Sequence, residues 1–581
     1  MEQHPHGTRV TINPVKRELL HNALVTITDN VLVMIVRTAR SSNVKNSMDF
    51  SAAILDGDGQ LVAQGLAVPV HLGAMMPAFR GCYEPFKDRI EEGDVLACND
   101  PYSGGSHLND IFMFKPVYAG GRRIAWIGII LHHTDLGGRV PGGNATDSNE
   151  IFEEGLRIPP SKIVEAGRVN ETLMRIIEFN TRVPDRVLGD VQAQIAAIHQ
   201  AEKDFLKLIG GWDVDEFCAY LTDLMDYAER LARAQIAALP DGVTEFTEWN
   251  DDDGIGGGPV RIHARLTKKG EELTVDFSDT DRRLGGAVHS NYAFTASCSY
   301  AAIRTVLDVD IPSNAGVYRS IKVIAPEGTF VNAPFPAALG SRGQSGQRIR
   351  SVVLGALAQL LPDRLTGCPG GSEFAISASG YNEEARRFVH LEFHNNTGQG
   401  GGPDRDGQDG GPYCIGNLAN VPVELLEAEY PLRIDEYAFI PDSGGPGKYR
   451  GALGVVRQYR MLVDDVLVQV RSDRFKHPPW GIFGGRAGWG ARAFMNPGSD
   501  REEAMPSKFM RRLACGEVFR AEMAAAGGYG DPMERDLDAV VEDVKQGKIS
   551  IEHARKEYGV VFRSGGSEVD VQATHAARRQ T

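Results

Sequence analysis

The stretch N-D-P-Y-S-G-G-S-H-L-N-D (Asn99–Asp110), followed by an apolar segment and then by H-H-T-D-L-G-G (His132–Gly138), organises the rest of the chain. The first polar cluster holds Asp100, His107 and Asp110. The second holds His132, His133 and Asp135. Between them, 111–117 and 124–131 are short apolar runs, and Ala119-Gly120-Gly121-Arg122 supplies the turn. Apolar runs of this length bounded by glycine predict buried strands. Paired as a hairpin, they set the start of the first strand beside the end of the second. His107 and Asp110 then approach His132 or His133. Two imidazoles and a carboxylate converging this way suit a first-row divalent metal with open positions. The competing reading is that these histidines only satisfy backbone carbonyls near the glycine turns.

Working outward, 581 residues suggest about three or four domains' worth of chain. The net charge of −15 and pI near 5.5 argue against nucleic acid as a general partner. No apolar run is expected to reach the length of a membrane span. The polar N-terminus lacks an apolar signal region, which points to a cytoplasmic protein. Seven widely spaced cysteines with no C-x-x-C pair fit reduced, mostly buried thiols.

Residues 13–40 carry Leu20, Leu24, Ile27, Val31 and Ile35 at helical spacing. Residues 48–64 form a hairpin around Asp56-Gly57-Asp58-Gly59. Val68-Pro69-Val70-His71-Leu72-Gly73 leads into a helix ending near Lys87, and His71 could approach the metal region. After the central hairpin, a loop with Asn144, Asp147, Glu153, Glu154 and Arg157 is either a substrate-binding loop or a solvated acidic one. Residues 170–239 read as two or three helices. Residues 242–279 alternate as strands. Two more helices are expected at 287–308 and 344–361.

Arg342, Arg348 and Arg350, near glycines, could hold an anion. His390, Glu392 and His394 share one face of an alternating strand and form a rival metal site. Asp442–Gly451 lacks the spacing and the Ser/Thr of a phosphate loop, so no nucleotide site is expected in this chain. Helices are expected at 534–557, and 563–581 is expected to be loose. The fold class is therefore α+β: a mixed multi-layer protein with a helical block in the middle and a β-rich C-terminal half. Its expected regions are 1–169, 170–241, 242–369, 370–533 and 534–581.

The motifs D-F-S-A-A-I-L-D-G-D-G-Q-L-V-A-Q, V-P-V-H-L-G, N-D-P-Y-S-G-G-S-H-L-N-D, H-H-T-D-L-G-G, E-E-G-L-R-I-P-P, D-S-G-G-P-G-K-Y-R-G and G-G-Y-G-D-P together resemble the hydantoinase B/oxoprolinase family. That family includes the B-type component of N-methylhydantoinase, the beta component of caprolactamase, the C-terminal half of 5-oxoprolinase and large subunits of ketone carboxylases. The resemblance implies a divalent metal (Mn, Zn or Fe) on His107, Asp110 and His132. It implies acid–base or orienting roles for His133 and Asp135; Asp100, Asn144, Glu154 and Arg157, from the polar cluster and the loop beside it, are the candidate substrate-binding residues. It also implies an A-type partner subunit that binds ATP, in a hetero-oligomer such as α2β2. The expected activity is ATP-dependent hydrolysis of a cyclic amide: a hydantoin, 5-oxoproline or a larger lactam. The alternatives are a ketone carboxylase subunit and a non-catalytic scaffold for the ATPase.

Overall fold

A computed structural model describes residues 11–65, 68–282, 285–371, 374–382, 386–394, 397–411, 416, 418–563 and 568–579. The chain is a mixed α+β protein whose described residues form four sheets.

The first sheet carries both polar clusters of the 99–138 stretch at its edges and ends. Its strands are β1 (Phe50–Asp56), β2 (Leu61–Gln64), β3 (Val95–Cys98), β4 (Asp110–Ala119), β5 (Arg122–His132), β6 (Ser161–Glu165) and β7 (Arg168–Val169). They are ordered β2-β1-β5-β4-β3-β6-β7, and every pairing is antiparallel. β4 and β5 form the expected hairpin, with Asp110 opposite His132. β1 lies on the other side of β5, pairing Phe50 with Leu131.

Helices α1 (Pro14–Thr38), α2 (Ser42–Lys45) and α3 (Pro69–Tyr83) complete the N-terminal part. They are followed by α4 (Glu171–Asn180), α5 (Pro184–Ile209) and α6 (Val214–Ala237). α3 covers the face of the sheet that carries Asp110 and His132, and its Phe79 ring meets Phe114 and Trp126. α5 covers the opposite face, where Gln194 donates to the carbonyls of Ile111 and Ile129. Helices on both faces explain why β4 and β5 read as continuous apolar runs rather than as alternating ones.

The second sheet comprises β8 (Gly242–Asn250), β9 (Val260–Lys269), β10 (Glu272–Asp276) and β11 (Ile321–Ile324), with β10 and β11 parallel. α7 (Tyr292–Arg304), α8 (Ala315–Tyr318) and α9 (Gly343–Leu360) belong with it. α7 crosses α3 so closely that a Cβ on Gly73 would lie 2.7 Å from the Ser297 Cα. The third sheet orders β13 (Arg387–His394), β12 (Phe374–Tyr381), Val466–Arg471 and Lys508–Leu513. A fourth, five-stranded sheet begins with Leu432–Ile440 paired to Gly454–Met461. Both belong to the expected β-rich half.

Three expectations are corrected. α1 is 25 residues long, with a mean hydropathy of 1.6 in its most apolar window, so among the described residues one helix is, by length and composition, long and apolar enough to cross a membrane. Its Leu20, Leu24, Ile27, Val31 and Ile35 face inward and join the core of the first sheet. The helix expected at 287–308 begins only at Tyr292, because Asn291 caps it by accepting the Phe294 N–H. The segment expected to be loose contains a helix, Val571–Arg579. Asp570 accepts the Ala573 N–H at its start, and Arg578 donates to the Tyr558 carbonyl.

The tail is fastened by buried charge. Arg535 donates to Asp406 at 2.6 and 2.7 Å and to Asp543 at 2.7 Å, and Arg450 reaches Asp409. These pairs tie the C-terminal helices to the glycine-rich loop around residue 400.

Candidate metal centre

The β4–β5 register brings three donor atoms together. His107 Nε2 lies 3.1 Å from His132 Nδ1 and 3.2 Å from Asp110 Oδ1. His132 Nδ1 lies 3.1 Å from the same carboxylate oxygen. Among the described residues, these three form the one group of ligand-type side chains close enough to share an ion. All three are buried. They open on a cavity of about 70 Å³ also lined by Asp49, His71, Phe294, Arg342 and Arg471.

Electrostatics favours metal-ready protonation states. Burial, and then the positive charge of Arg342, push His107 well below the usual imidazole range, so its ring is neutral. Burial pushes the Asp110 carboxyl up, but the neighbouring imidazole and Arg342 outweigh it and hold it well below its usual range. Arg342 donates to Asp110 Oδ2 at 2.7 Å and to the Ser106 hydroxyl at 2.8 Å. It thereby fixes the carboxylate and leaves Oδ1 turned to the imidazoles. Such support of a ligand by a hydrogen-bonding neighbour is what metal sites require. A neutral imidazole, a second imidazole and an ionised carboxylate converging in one buried place could hold a metal ion.

Two groups of this site, Asp49 and Arg471, carry no signal in the local sequence. Asp49 precedes β1, and its carbonyl accepts the His132 N–H at 3.1 Å. Its carboxylate lies 3.8 Å from His132 Nδ1 and 3.7 Å from His71 Nε2. His71, which the sequence offers only as a residue that could approach the metal, does line the cavity. It shares a hydrogen bond of 3.0 Å with the Ser51 hydroxyl through Nδ1. Only the β1–β5 pairing reveals these neighbours. Arg342 and Arg471 arrive from the start of α9 and from the third sheet.

Other sequence candidates lie elsewhere. His133 follows His132 and so faces the opposite side of the sheet, towards Gln194 of α5; burial, and then His132, push its ring down to about 3. Asp135 accepts from Arg182 Nη1 at 3.0 Å, from the Arg182 N–H at 2.6 Å and from the Gly142 N–H at 2.8 Å. It anchors a loop and does not line the cavity. Asp100 is held by Arg157 through two hydrogen bonds and caps a short helical turn. Asn144 lies beside Arg471, which donates to its carbonyl at 3.1 Å. Glu154 is buried, accepts the Gly340 N–H at 2.5 Å and is pushed up to about 8 by that burial.

Among the described residues, the rival site is closed. Glu392 accepts from Arg457 at 2.5 Å, from Tyr459 at 2.9 Å and, through its second oxygen, lies 3.4 Å from His390. The side chain of His394 lies outside the described residues.

A family model described as hydantoinase B/oxoprolinase matches residues 13–532. The chain is 31% identical to the beta component of the caprolactamase of Pseudomonas jessenii, over 98% of this chain and 99% of that one. It is 30% identical to the B component of a putative D-/L-hydantoinase of Pseudomonas sp. (strain NS671), over 99% of each. The crystal structure of the ATP-dependent caprolactamase from P. jessenii superposes with a TM-score of 0.92, covering 98% of this chain and 100% of that chain. Nucleotide-free acetone carboxylase superposes with a TM-score of 0.91 at 18% identity, over 98% of this chain and 83% of that one, and so shares the fold.

Proposed function

Because the chain belongs to the hydantoinase B/oxoprolinase family, we propose that it is the B-type subunit of an ATP-dependent hydrolase of cyclic amides. Its substrate is a hydantoin, 5-oxoproline or a larger lactam, after activation by an A-type subunit that binds ATP. The relatives named as the beta component of a caprolactamase and the B component of a hydantoinase, matched over nearly their whole length, support this reading. The observation that carries it is the buried convergence of His107, Asp110 and His132 on one cavity.

An unstrained amide is a poor electrophile, and phosphorylation of its oxygen turns that oxygen into a leaving group. His107, Asp110 and His132 would hold the metal, with Arg342 orienting Asp110. When bound, the ion supplies Lewis-acid chemistry and makes water a stronger acid. The acid–base role expected of His133 and Asp135 passes to His71 and Asp49, which line the cavity. His71 presents Nε2 towards Asp49 while Ser51 engages Nδ1, so Nε2 is the atom placed to take up and return a proton. Burial keeps that imidazole neutral, as a base must be.

The test assembles the chain with an A-type partner, ATP and hydantoin, 5-oxoproline or caprolactam, with and without bicarbonate. Ring-opened acid formed without bicarbonate is the expected result. A carboxylated ketone formed only with bicarbonate would replace this reading with a carboxylase. Unchanged turnover by an intact complex carrying His107→Ala and Asp110→Ala would leave the chain a scaffold.

A further inference from the structure

Three arginines stand near the glycines that open α9, and the fold treats them differently. Arg342 holds Asp110 and Ser106. Arg348 sets its Nε 3.0 Å from an oxygen of Asp473 and donates through Nη2 to the Gly371 carbonyl at 2.6 Å, so its charge has a carboxylate beside it although its Nη1 is also buried without a hydrogen-bond partner. Arg350 is only 3% exposed, and its Nε and Nη1 are buried with no hydrogen-bond partner. One turn earlier, Gln347 is equally buried, and its Nε2 also lacks an acceptor.

A guanidinium keeps its proton, so its buried Nε and Nη1 donors have lost water without gaining an acceptor. Folded proteins leave few such groups, and each calls for a reason. Here the unmet donors are neighbours. Residues 347 and 350 are three apart and lie on one face of α9. Both face the strip Cys368–Gly371. Gln347 Oε1 is 3.5 Å from where a Cβ on Gly371 would sit. The positive charge of Arg350 acts on the Cys368 thiol.

Gly343 lies on the same helix face at the i, i+4, i+7 spacing, and it lines the metal-site cavity. Seven residues of helix separate Gly343 from Arg350, about 10 Å at 1.5 Å per residue.

We propose that Gln347 and Arg350 form a buried oxyanion site, which binds a carboxylate or phosphate group between α9 and the Cys368–Gly371 strip. The guanidinium offers charged N–H donors at Nε and Nη1 to the oxygens of such a group, and Gln347 Nε2 adds a third donor. The proposal stands apart from the hydrolase reading, because it needs neither the metal nor the partner subunit.

The test uses the full-length chain, stripped of metal by a chelator and desalted. It is titrated with inorganic phosphate and, separately, with acetate at constant ionic strength, and followed by calorimetry and thermal unfolding. One oxyanion is expected to bind per chain and to raise the unfolding temperature. Affinity is expected to fall about tenfold or more in Arg350→Met and roughly threefold in Gln347→Leu. Binding of phosphate alone identifies a phosphoryl-bearing ligand, and binding of both anions identifies a carboxylate-sized site. No saturable binding by the wild type overturns the proposal. So does wild-type affinity in a folded Arg350→Met variant. If Arg350→Met does not fold, Gln347→Leu decides: a loss of affinity supports the site, and unchanged affinity overturns it.

Discussion

Two buried clusters in this molecule combine histidine with carboxylate, and they are built in opposite ways. Around Glu392, every strong demand is met from within. Arg457, Tyr459 and the Val421 N–H take its oxygens, and His390 lies beside it. Around Asp110, one oxygen is tied to Arg342, while the other faces two imidazole nitrogens 3.1–3.2 Å away. Among the described residues, the first cluster is a charge pair closed by its own hydrogen bonds. The second gathers electron-rich atoms that a cation would reconcile, and it opens on a cavity. Burial of charge is common to both, so burial alone does not mark a site. Donor atoms turned towards one another beside a cavity do.

The largest expected effect follows from dismantling the open cluster. His107→Ala should lose essentially all metal by elemental analysis, and in the assembled complex should lower turnover by at least about a thousandfold. Full metal content in that variant would remove His107 from the ligand set.

Dismantling the closed cluster should do the reverse. Glu392→Ala leaves Arg457 buried and unpaired, which costs about 3–5 kcal/mol of stability. Urea unfolding would measure this, and metal content should stay at the wild-type value. Loss of metal without loss of stability would make Glu392 a ligand after all.

An intermediate effect is expected at the support. Arg342→Met frees the second oxygen of Asp110 and should weaken metal binding about 10–100-fold in a chelator competition. Wild-type affinity would mean that the β4–β5 hairpin alone orients the carboxylate.

The last effect is read as a slope with pH rather than as a lost activity or ligand, and it concerns Glu154, whose carboxyl burial raises from an ordinary 4.5 to about 8. Between those values the folded chain keeps a proton that the unfolded chain has lost. Stability attributable to this group is therefore fully present below 4.5 and is lost as pH rises towards 8, by at most about 1.4 kcal/mol per pH unit. Glu154→Gln should flatten that slope in unfolding measurements at pH 5 and pH 8.5. Parallel curves for variant and wild type would show a carboxylate that is ionised throughout.

Much of this architecture is written in local pattern. The β4–β5 hairpin is legible because two apolar runs flank a turn with two glycines, and the turn sets the register that puts Asp110 opposite His132. The three middle helices are legible from their apolar spacing. The helix Ile551–Tyr558 is legible from its Ser550 cap and its Gly559 stop in the left-handed region. The same hairpin explains why His107, Asp110 and His132 could be named in advance: they lie within one supersecondary unit.

Contacts between distant segments are a different matter. His133 and Asp135 share the H-H-T-D motif with His132, yet strand alternation turns His133 to the other face and Arg182 claims Asp135. Asp49 and His71 reach the cavity only because β1 pairs with β5 and α3 packs over that face. Arg342 reaches Asp110 across 232 positions of sequence. Short-range patterning of apolar and turn residues specifies elements and their nearest pairings, because those energies are local. Which polar groups then meet, and which are left wanting a ligand, depends on how whole layers stack, and no local stretch of the chain encodes that.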